Sequence, residues 1–416
     1  MNLLYEIFAG LKRNKLRTAL TGLSVSWGIF ILIILLGAGN GLKNGVMSNF
    51  GERASNTVQL WAGNTSMPYK GLKSERDLRF TEKEIEVLNK IKDVSDETGI
   101  VRLRSNPTMS YKNEYGVFTI YGVNPVYEHI FALKFSAEDG RFINALDIKN
   151  LNKVIVLDKA IVETLFKDEN PIGKNVKLGN VMFKVIGVNS KKARWSSGDA
   201  YIPFTTAQKI YNPNKKFGQI AMLANDLKTT EENDAFNQNL RTALGGSMQF
   251  DQADQRALRI SNSQREYIET MKIFGGISFF VSIIGILTLI AGIVGVSNIM
   301  LVTVKERTRE IGIRKAIGAT PADILRSIIV ESIIITAIFG YIGMIAGVGL
   351  TEIAGFIMEQ SAAGNPEGMT VFKNPTVGLN YVFTATAILI IAGVIAGYMP
   401  ARRAVKIKPI EAMREE

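Results

Sequence analysis

Four long stretches without charged side chains constrain this chain more than any other feature of its sequence. They lie between Arg17 and Lys43, Lys272 and Lys305, Arg326 and Glu352, and Lys373 and Arg402. Glu331 alone interrupts the third stretch. Each stretch exceeds the roughly 20 helical residues that cross the apolar core of a bilayer. A buried helix of a soluble protein is the alternative for any one stretch, but four together predict an integral membrane α-helical protein with four transmembrane helices.

The four stretches divide the chain into membrane spans and the segments that join them. The predicted segments are an amphipathic cytoplasmic helix at 1–17, spans at 18–42, 273–304, 327–351 and 376–400, an outside domain with a helical stalk at 43–272, a cytoplasmic loop at 305–326, a short outside loop at 352–375 and a cytoplasmic tail at 401–416. The first span is longer than the apolar region of a signal peptide, about 7–15 residues, so we expect it to remain in the protein.

Basic residues flank the spans unevenly, and this asymmetry orients the chain. Lys and Arg predominate before the first span, between the second and third spans, and in the tail, whereas the loop between the third and fourth spans has Glu352, Glu359 and Glu367 against Lys373. Cytoplasmic loops carry the excess of Lys and Arg. Both termini are therefore predicted to be cytoplasmic. This topology explains most of the net charge of +11, so nucleic acid is not an expected partner.

The predicted outside domain alternates between strand and helix patterns, which indicates a large α+β domain of two lobes. Near its ends, TVQLW, GIVRLRS, FGQIAMLAND and SMQFD are predicted strands, and TEKEIEVLNKI and TTEENDAFNQNLRTALG are predicted helices. Thr81 and Glu84 form a predicted capping box. The middle, 115–205, contains further predicted strands, beginning with GVFTIYGVN, and forms the second lobe. ADQRALRISNSQREYIETMKIF is predicted to start the helix of the second span early.

The sequence contains no constellation that indicates catalysis or metal binding. The chain has no cysteine, and His129 is its single histidine, which leaves no thiolate or multi-histidine site. The GxSxG, HExxH and Walker-type phosphate-loop patterns are absent, so we expect neither enzymatic activity nor ATP binding by this chain. Asp139 and Asp158 are interpreted as turn and capping residues. Glu331 is expected to reach the membrane interface, or to pair there near Arg326.

The loop between the second and third spans, VKERTREIGIRKAIGATPADILRSIIVES, is the most informative short segment. Glu310 and Arg314 have the favourable order and spacing of an ion pair on a helix. Ile313 and Ile317 share one apolar side of it, and Gly318 is placed to end it. A short helix is therefore predicted between the two spans. It either lies on lipid headgroups or docks a cytoplasmic partner, and the residues themselves favour neither interpretation.

Glycines at four-residue spacing predict close packing of helices within the membrane. The three sets are Gly37, Gly41 and Gly45, then Gly343 and Gly347, then Gly393 and Gly397. Small residues at this spacing allow two helix backbones to approach.

Several motifs together give the chain a specific family resemblance. Two motifs lie outside the predicted outside domain: after the second span comes REIGIRKAIGA, and at the end of the chain comes MPARRAVKIKPIEAMR. The outside domain contains four further motifs, in the order YGVNPVYEHIFALKFSAEDGRFI, KVIVLDKAIVETLF, NPIGKNVKLGNVMFKVIGV and DAYIPFTTAQKIY. With the four-span layout, the first two resemble the permeases of type VII ABC transporters, the group of the macrolide exporter MacB and the division protein FtsX. The last four resemble the MacB periplasmic core in order and spacing.

The resemblance implies that the short helix is a coupling helix that docks an ABC ATPase. The family's coupling helix maps onto residues 306–317, and the implied ATPase contacts are Glu306, Arg307, Glu310, Ile311, Arg314 and Lys315. MacB carries its ATPase fused before the first span, whereas this chain begins about 17 residues before that span. The expected ATPase is therefore a separate subunit, which would bind ATP and Mg²⁺, and no cofactor is expected in this chain.

The resemblance also implies the function and the remaining partners. The expected protein is a homodimeric inner-membrane permease that transmits ATP-driven movement to its periplasmic domain for efflux of antimicrobial compounds or peptides. A periplasmic adaptor and an outer-membrane channel are implied as further partners. Lipoprotein release is the alternative within the family, and a signalling scaffold for a cell-wall hydrolase is the alternative of another class. The first two spans make the implied dimer contact, which favours Gly37, Gly41 and Gly45 as the packing residues.

Overall fold

The computed structural model of the chain describes residues 15–50, 56–103, 107–136, 138–190, 198–212, 214–225, 227–364, 372–375 and 379–406. The chain forms two compact units: a sheet unit, Ser48–Lys272, and a helical unit, which comprises Met1–Met47 and Ile273–Glu416. Most of the predicted amphipathic helix at 1–17 and of the predicted tail at 401–416 lies outside the described residues.

The described helices and strands are numbered along the chain. The helices are α1 (Lys15–Phe50), α2 (Glu82–Leu88), α3 (Tyr127–Ile130), α4 (Ala145–Lys149), α5 (Lys159–Leu165), α6 (Phe204–Tyr211), α7 (Thr230–Met248), α8 (Ser263–Glu306), α9 (Thr308–Ala316), α10 (Pro321–Gly364) and α11 (Leu379–Val405). The strands are β1 (Thr57–Ala62), β2 (Val94–Arg102), β3 (Thr108–Tyr111), β4 (Glu114–Val117), β5 (Thr119–Val123), β6 (Val154–Asp158), β7 (Asn175–Leu178), β8 (Val181–Asn189), β9 (Asp199–Pro203), β10 (Gln219–Ala224) and β11 (Leu258–Asn262).

Among the residues that the structure describes, four helices are long and apolar enough to cross a membrane, which agrees with the predicted number of spans. The candidate spans are Gly22–Ser48 in α1, Ser263–Glu306 in α8, Pro321–Met358 in α10 and Thr386–Val405 in α11. α8 and α10 each have 44 residues. At 1.5 Å per residue, each is about 66 Å long, roughly twice the apolar core of a bilayer. Both helices therefore tilt strongly or extend beyond the bilayer.

α10 is longer than the predicted span at 327–351, because it continues into the predicted outside loop as far as Gly364. The prediction ended the span at Glu352, the first charged residue after the apolar stretch. Glutamate is a good helix former, so its charge ends the apolar stretch without ending the helix.

The sheet unit is built on one eleven-stranded sheet with the strand order β11-β1-β10-β2-β5-β9-β6-β8-β7-β3-β4. Strands from the two ends of the unit make up one half, and strands from its middle make up the other. β2 and β5 join the halves through the pairs Val101–Gly122 and Arg102–Tyr121. The two predicted lobes are therefore the two halves of a continuous sheet.

Two predicted elements at the end of the sheet unit are wrong. SMQFD is not a strand, because Ser247 and Met248 end α7 and Gln249 follows in the left-handed conformation with φ of 55°. The last strand is β11, which the helical pattern had assigned to the start of the second span. Ile260 of β11 lies opposite Leu60 of β1 in an antiparallel pair. Pairing with β1 thus overrides the local helical spacing.

GVFTIYGVN, predicted as one strand, forms both β4 and β5, with Phe118 between them. Phe118 is buried. β4 pairs with β3, whereas β5 pairs with β2 and β9. The chain therefore changes neighbours at Phe118, and the two halves of this stretch lie far apart in the strand order.

Alternate strand residues form the apolar core of the sheet unit. Val58 and Leu60 of β1, Ile120 of β5 and Leu157 of β6 are fully buried in one cluster. α7 adds Leu240 to the same cluster and packs against α2. Burial of this apolar surface is the main force that holds the sheet unit together.

The N-termini of α2 and α7 have the same capping arrangement. At α2 the predicted capping box is confirmed, because the Thr81 amide donates to Glu84 Oε2 at 2.8 Å. At α7, Thr229 Oγ1 accepts from the Glu232 amide at 3.2 Å, and the Thr229 amide donates to Glu232 Oε2 at 3.0 Å. Such boxes satisfy amides that the first turn of a helix leaves unpaired.

Asp254 ties two loops of the sheet unit together. Its buried carboxylate accepts hydrogen bonds from the Ser66 amide at 2.6 Å, the Ser66 hydroxyl at 2.7 Å, the Met67 amide at 3.0 Å and the Arg256 and Ala257 amides at 3.1 and 3.2 Å. Burial alone raises the pKa of this carboxyl, but the donated hydrogen bonds outweigh burial and lower the pKa below its ordinary value.

The two aspartates interpreted as turn and capping residues have different roles. Asp139 fits the prediction, because its Oδ2 accepts from the Ser136 amide at 3.0 Å across a turn. Asp158 occupies the N-cap position of α5 but makes no capping hydrogen bond. Its carboxylate instead accepts from Asn189 Nδ2 at 2.8 Å and from the Asp199 amide at 2.9 Å. It therefore links β6 to β8 and β9, and the capping interpretation was incomplete.

An exposed ionic cluster fastens the β3–β4 hairpin to the segment that precedes β7. Glu169 accepts from Lys112, Lys174 and the Tyr111 hydroxyl. Tyr111 also stacks on Phe166, with ring centroids 4.1 Å apart. Hydrogen bonds from Lys112 first, then from Lys174 and Tyr111, lower the pKa of Glu169 from 4.5 to about 2.

Candidate functional site

α9 is a separate short helix because the backbone breaks on both sides of it. Arg307 stands at its N-cap with a φ of −95°, between α8 and α9. Gly318 follows its end with a φ of +104°, a conformation that favours glycine. The Thr320 hydroxyl then accepts from the Asp323 amide at 3.2 Å and begins α10. The predicted helix and its end at Gly318 are confirmed.

One side of α9 faces the helical unit. Ile311 and Gly312 are buried, and Ile311 belongs to an apolar cluster with Val304 of α8 and Ile324 of α10. Lys315 donates to the carbonyl of Val405 at the end of α11. α9 is therefore held by contacts with three of the long helices, and its position follows theirs.

An ion pair joins Arg307 to α10. Arg307 Nη1 lies 3.3 and 3.2 Å from the two carboxylate oxygens of Glu331, whose side chain is only 9% exposed. A carboxylate within an apolar helix needs such a partner. The predicted alternatives were that Glu331 reaches the membrane interface or pairs there, near Arg326 of the same helix. The actual partner precedes Glu331 by 24 residues, because the α9 turn returns the chain beside α8.

The opposite side of α9 is exposed and combines apolar and charged groups. Ile313 is 45% and Ile317 81% exposed, and Glu310 and Arg314 are exposed between them. Exposed branched aliphatic side chains on a helix outside the candidate spans make this side a candidate surface for a protein partner or for lipid headgroups. The apolar side predicted from Ile313 and Ile317 is therefore the outward side.

The six predicted ATPase contacts divide between these two sides. Glu306, Glu310 and Arg314 are exposed, Lys315 is half-buried, Ile311 is buried, and Arg307 is engaged with Glu331. The role of all six in binding an ATPase stays a prediction. The sequence missed that Arg307 and Ile311 face the helical unit, because the helical phase of α9 relative to its neighbours depends on the conformation at Arg307 and Gly318.

The first glycine set packs within this chain. A Cβ atom placed on Gly37 would lie 2.6 Å from Cγ2 of Thr351, and one on Gly41 would lie 2.5 Å from the ring of Phe372. Gly45 is buried. Gly37 and Gly41 are therefore needed for close packing inside the helical unit. A role for this set in a dimer contact stays a prediction.

Over the part of the chain that the structure describes, no group of three or more His, Asp or Glu side chains is arranged to hold a metal ion. The buried carboxylates of Asp254, Asp158 and Glu331 are each occupied by protein donors. The candidate functional site is therefore the exposed side of α9.

Two solved structures resemble about half of the chain. The periplasmic region of MacB from Actinobacillus actinomycetemcomitans matches with a TM-score of 0.43 and 22% identity, over 55% of this chain and 97% of that one. The extracellular domain of the ABC-type transporter YknZ from Gram-positive bacteria matches with a TM-score of 0.41 and 20% identity, over 50% of this chain and all of that domain.

Curated relatives align with almost the whole chain. The macrolide export ATP-binding/permease protein MacB of Acinetobacter baylyi is 28% identical over 97% of this chain and 58% of its own length. The pyoverdine export ATP-binding/permease protein PvdT of Pseudomonas fluorescens is 30% identical over 97% of this chain and 58% of its own length. The chain thus spans about three fifths of the curated relatives that it matches.

Two family models match consecutive parts of the chain. The MacB-like periplasmic core domain covers residues 18–242, and the FtsX-like permease C-terminal domain covers residues 282–409. The first includes α1 and most of the sheet unit, and the second includes α9, α10 and α11. The chain belongs to the MacB-like and FtsX-like family of ABC transporter permeases.

Proposed function

We propose that this chain is the membrane subunit of an ABC transporter and that it passes movement from a separate ATPase to its periplasmic domain. The observation that carries the proposal is α9, which has an exposed apolar and charged side and a second side fixed to the long helices. Membership in the permease family supports the assignment of an ATPase as its partner.

The proposed path begins at α9 and runs along α8. A partner bound on Ile313 and Ile317 displaces α9, and the end of α8 must follow because Arg307 is the single residue between the two helices. α8 continues without interruption to Ser263, immediately after β11. A movement applied at α9 therefore reaches the sheet unit through one continuous helix.

Polar contacts fix the first turns of α8 to α7 within the sheet unit. Arg265 pairs with Asp234 of α7, and Lys272 Nζ donates to the Thr230 hydroxyl at 2.8 Å. The Arg265 amide also donates to Asn262 Oδ1 at 3.1 Å. These contacts support the proposal, because α8 cannot rotate at this end without moving α7.

The proposed cargo is handled outside the inner membrane. Two relatives are named for export of macrolides and pyoverdine, so efflux of such compounds, with a periplasmic adaptor and an outer-membrane channel, is the proposed role. Glu331, the one acidic residue within the described apolar stretches, is engaged with Arg307. A polar conduit between the helices has no support from these residues.

We place the second permease copy on the exposed face of α8. Ile273, Phe280, Leu287 and Val294 recur every seven residues and are 63, 63, 60 and 61% exposed. Residues seven apart lie on one face of a helix, so these four form a single exposed apolar stripe along which a second helix can pack. This face is a better candidate for a homodimer contact than Gly37 and Gly41, which pack within the chain.

The dimer contact is testable because the natural chain has no cysteine. With Leu287→Cys as the only cysteine, mild oxidation in native membranes is expected to give a disulfide-linked dimer. Ile345→Cys on α10, 59% exposed, is the matched control and should stay monomeric. Equal cross-linking at both positions would argue against the α8 face.

Purification in mild detergent tests the proposed function. We expect an ABC ATPase to co-purify and ATP hydrolysis to appear only in the complex. ATP hydrolysis by the purified chain alone would contradict the proposal, and so would a stable preparation without any ATPase.

Ile317→Asp tests the docking side of α9. The substitution places a charge at the centre of the exposed apolar surface, and a hot-spot loss of about 2 kcal/mol corresponds to roughly 30-fold weaker ATPase binding. Leu146→Asp in the sheet unit, where Leu146 is 62% exposed, is the control and should bind normally. Unchanged ATPase binding by a folded Ile317→Asp protein would remove α9 as the docking site.

A further inference from the structure

The four long helices, α1, α8, α10 and α11, differ in how closely their backbones approach one another. α1 and α10 approach backbone to backbone, because a Cβ atom on Gly343 would lie 2.2 Å from the carbonyl oxygen of Ser26. A Cβ on Gly347 would lie 2.9 Å from Cβ of Ile33. Contacts this short leave no room for any side chain, so these two helices are interlocked.

α10 and α11 are interlocked in the same way. A Cβ atom on Gly393 would lie 2.9 Å from Cα of Ile333, and one on Gly397 would lie 2.8 Å from Cβ of Ser332. The Ser332 hydroxyl also donates to the Gly393 carbonyl at 2.9 Å. α1, α10 and α11 therefore form one tightly packed block.

α8 packs against α1 with more space. Cβ atoms on three glycines at this contact would lie 3.3 to 3.6 Å from their nearest neighbours, further than the 2.2 to 2.9 Å found between α1 and α10 and between α10 and α11. These are Gly28 with the Thr288 carbonyl at 3.3 Å, Gly292 with Cα of Val25 at 3.5 Å and Gly295 with Cβ of Ser24 at 3.6 Å. The close neighbour of Gly285 is the terminal methyl of Leu32, which can rotate away. The contact between α1 and α8 is therefore less tightly interlocked than the contacts within the block.

A small cavity of about 10 Å³ lies where α8 faces the block, and each of the four long helices contributes to its lining. Val25 of α1, Gly292 of α8, Thr336 of α10 and Ala392 of α11 are among the lining residues. Among the described residues, the buried Thr336 hydroxyl has no hydrogen-bond partner. An unpaired buried hydroxyl costs about 1–3 kcal/mol, so one wall of the cavity carries a polar group whose hydrogen bond is not made.

The two ends of α8 differ in how they are held within the helical unit. At the end next to α9, Val304 is buried and the Arg307–Glu331 pair ties the chain to α10. Val296, Met300 and Val304, in the half of α8 next to α9, belong to the apolar cluster shared with α1, α10 and α11, whereas Phe274 and Val281, in the other half, are buried outside that cluster. Contacts with the block therefore hold α8 most firmly beside α9.

We propose that α8 is the mobile helix of the helical unit and that it pivots near the Arg307–Glu331 pair, against the block of α1, α10 and α11. The cavity beside Gly292 and Ala392 gives α8 space to change its packing. The proposal rests on the proposed function only for the source of the force. A helix that is held firmly at one end and packed less tightly along its length can change its packing, as a transmitting element requires.

Distances between spin labels test the pivot on the full chain in lipid nanodiscs, without any ATPase. Cysteines replace Gly275 at the outer end of α8 and Gly349 on α10, and a second labelled pair joins Gly39 on α1 to Gly349. A Cβ atom added to any of these three glycines would have no neighbouring atom within 4 Å, so the labels fit. Labelled chain is diluted with unlabelled chain, so that only distances within one chain contribute.

The Gly275–Gly349 pair is expected to give a broad or two-peaked distance distribution, and the Gly39–Gly349 pair a narrow one. Ala392→Val, which fills the cavity, should narrow the first distribution to the width of the second. If the Ala392→Val protein does not accumulate in cells, Gly292→Val fills the same cavity from the α8 side. The pivot would be overturned if the two labelled pairs gave distance distributions of equal width. It would also be overturned if the Gly275–Gly349 distribution stayed broad after the cavity was filled. Because no ATPase is present, this result is independent of the co-purification test.

Discussion

The sheet unit and the helical unit bury polar groups by different means. In the sheet unit, Asp254 and Asp158 are buried carboxylates that bind loops and strands together through amide donors. In the helical unit, Glu331 is paired with an arginine. The close approach of helix backbones there depends on glycines such as Gly343 and Gly347. In the sheet unit, hydrogen bonds that join its loops and strands specify a single fold. In the helical unit, the shapes of the helix surfaces determine which faces pack together, because contacts between apolar side chains in lipid are not directional.

Because of this difference, we expect the two units to be sensitive to different substitutions. Adding a methyl group is severe where helix backbones touch, whereas removing a carboxylate is severe where it satisfies several amides. Three substitutions test the comparison, in order of decreasing effect.

Gly343→Val is expected to have the largest effect. Its Cβ would lie 2.2 Å from the Ser26 carbonyl oxygen, so α1 and α10 must separate, and we expect a loss of more than about 4 kcal/mol. The measurement is the yield of monodisperse protein in detergent and its resistance to trypsin. Gly349→Val, with open space around it, is the control and should behave as the unchanged protein. Similar yields for both variants would show that glycine contacts do not determine the packing.

Asp254→Ala is expected to destabilise the sheet unit by about 3 kcal/mol, because it leaves several buried amides without an acceptor. For a unit of this size, that corresponds to a Tm lower by roughly 10 °C, measured by circular dichroism on the full chain. Glu163→Ala, at an exposed position of α5, serves as the control. A Tm change no larger than that of the control would contradict the role assigned to this carboxylate.

Glu169→Gln is expected to have the smallest effect, which depends on pH. The pKa of Glu169 is lowered from 4.5 to about 2, so its stabilising contribution is complete above pH 4.5 and is lost as the pH falls through 2. The unchanged protein should therefore lose stability between pH 4.5 and 2 more steeply than Glu169→Gln. Because the group is exposed, added salt should reduce the difference. Parallel stability curves for the two proteins would show that the ionic cluster contributes nothing.

The sequence predicted the elements whose signal is local. Four apolar stretches gave the four long helices, Thr81 and Glu84 gave a capping box, and Gly318 gave the end of α9. The family resemblance, which the family models bear out, also came from motifs within the sequence.

Features that depend on distant partners could not be predicted. β11 is a strand because β1 lies beside it, and Glu331 pairs with Arg307 because α9 returns the chain. At the candidate site, the sequence placed α9 correctly but not its inward side. Which residues face outward depends on the backbone at Arg307 and Gly318, and residue spacing along the helix does not determine it.

The junction between β11 and α8 has no connecting residue, because β11 ends at Asn262 and α8 begins at Ser263. No linker therefore separates the last strand from the helix that contains the second span. Inserting one residue at this junction would turn every later side chain of α8 by about 100° and shift it by about 1.5 Å. Leu287 and Phe280 would then point in new directions while the strand stayed paired. The length of the chain at this junction is thus as important for the faces of α8 as any of its side chains.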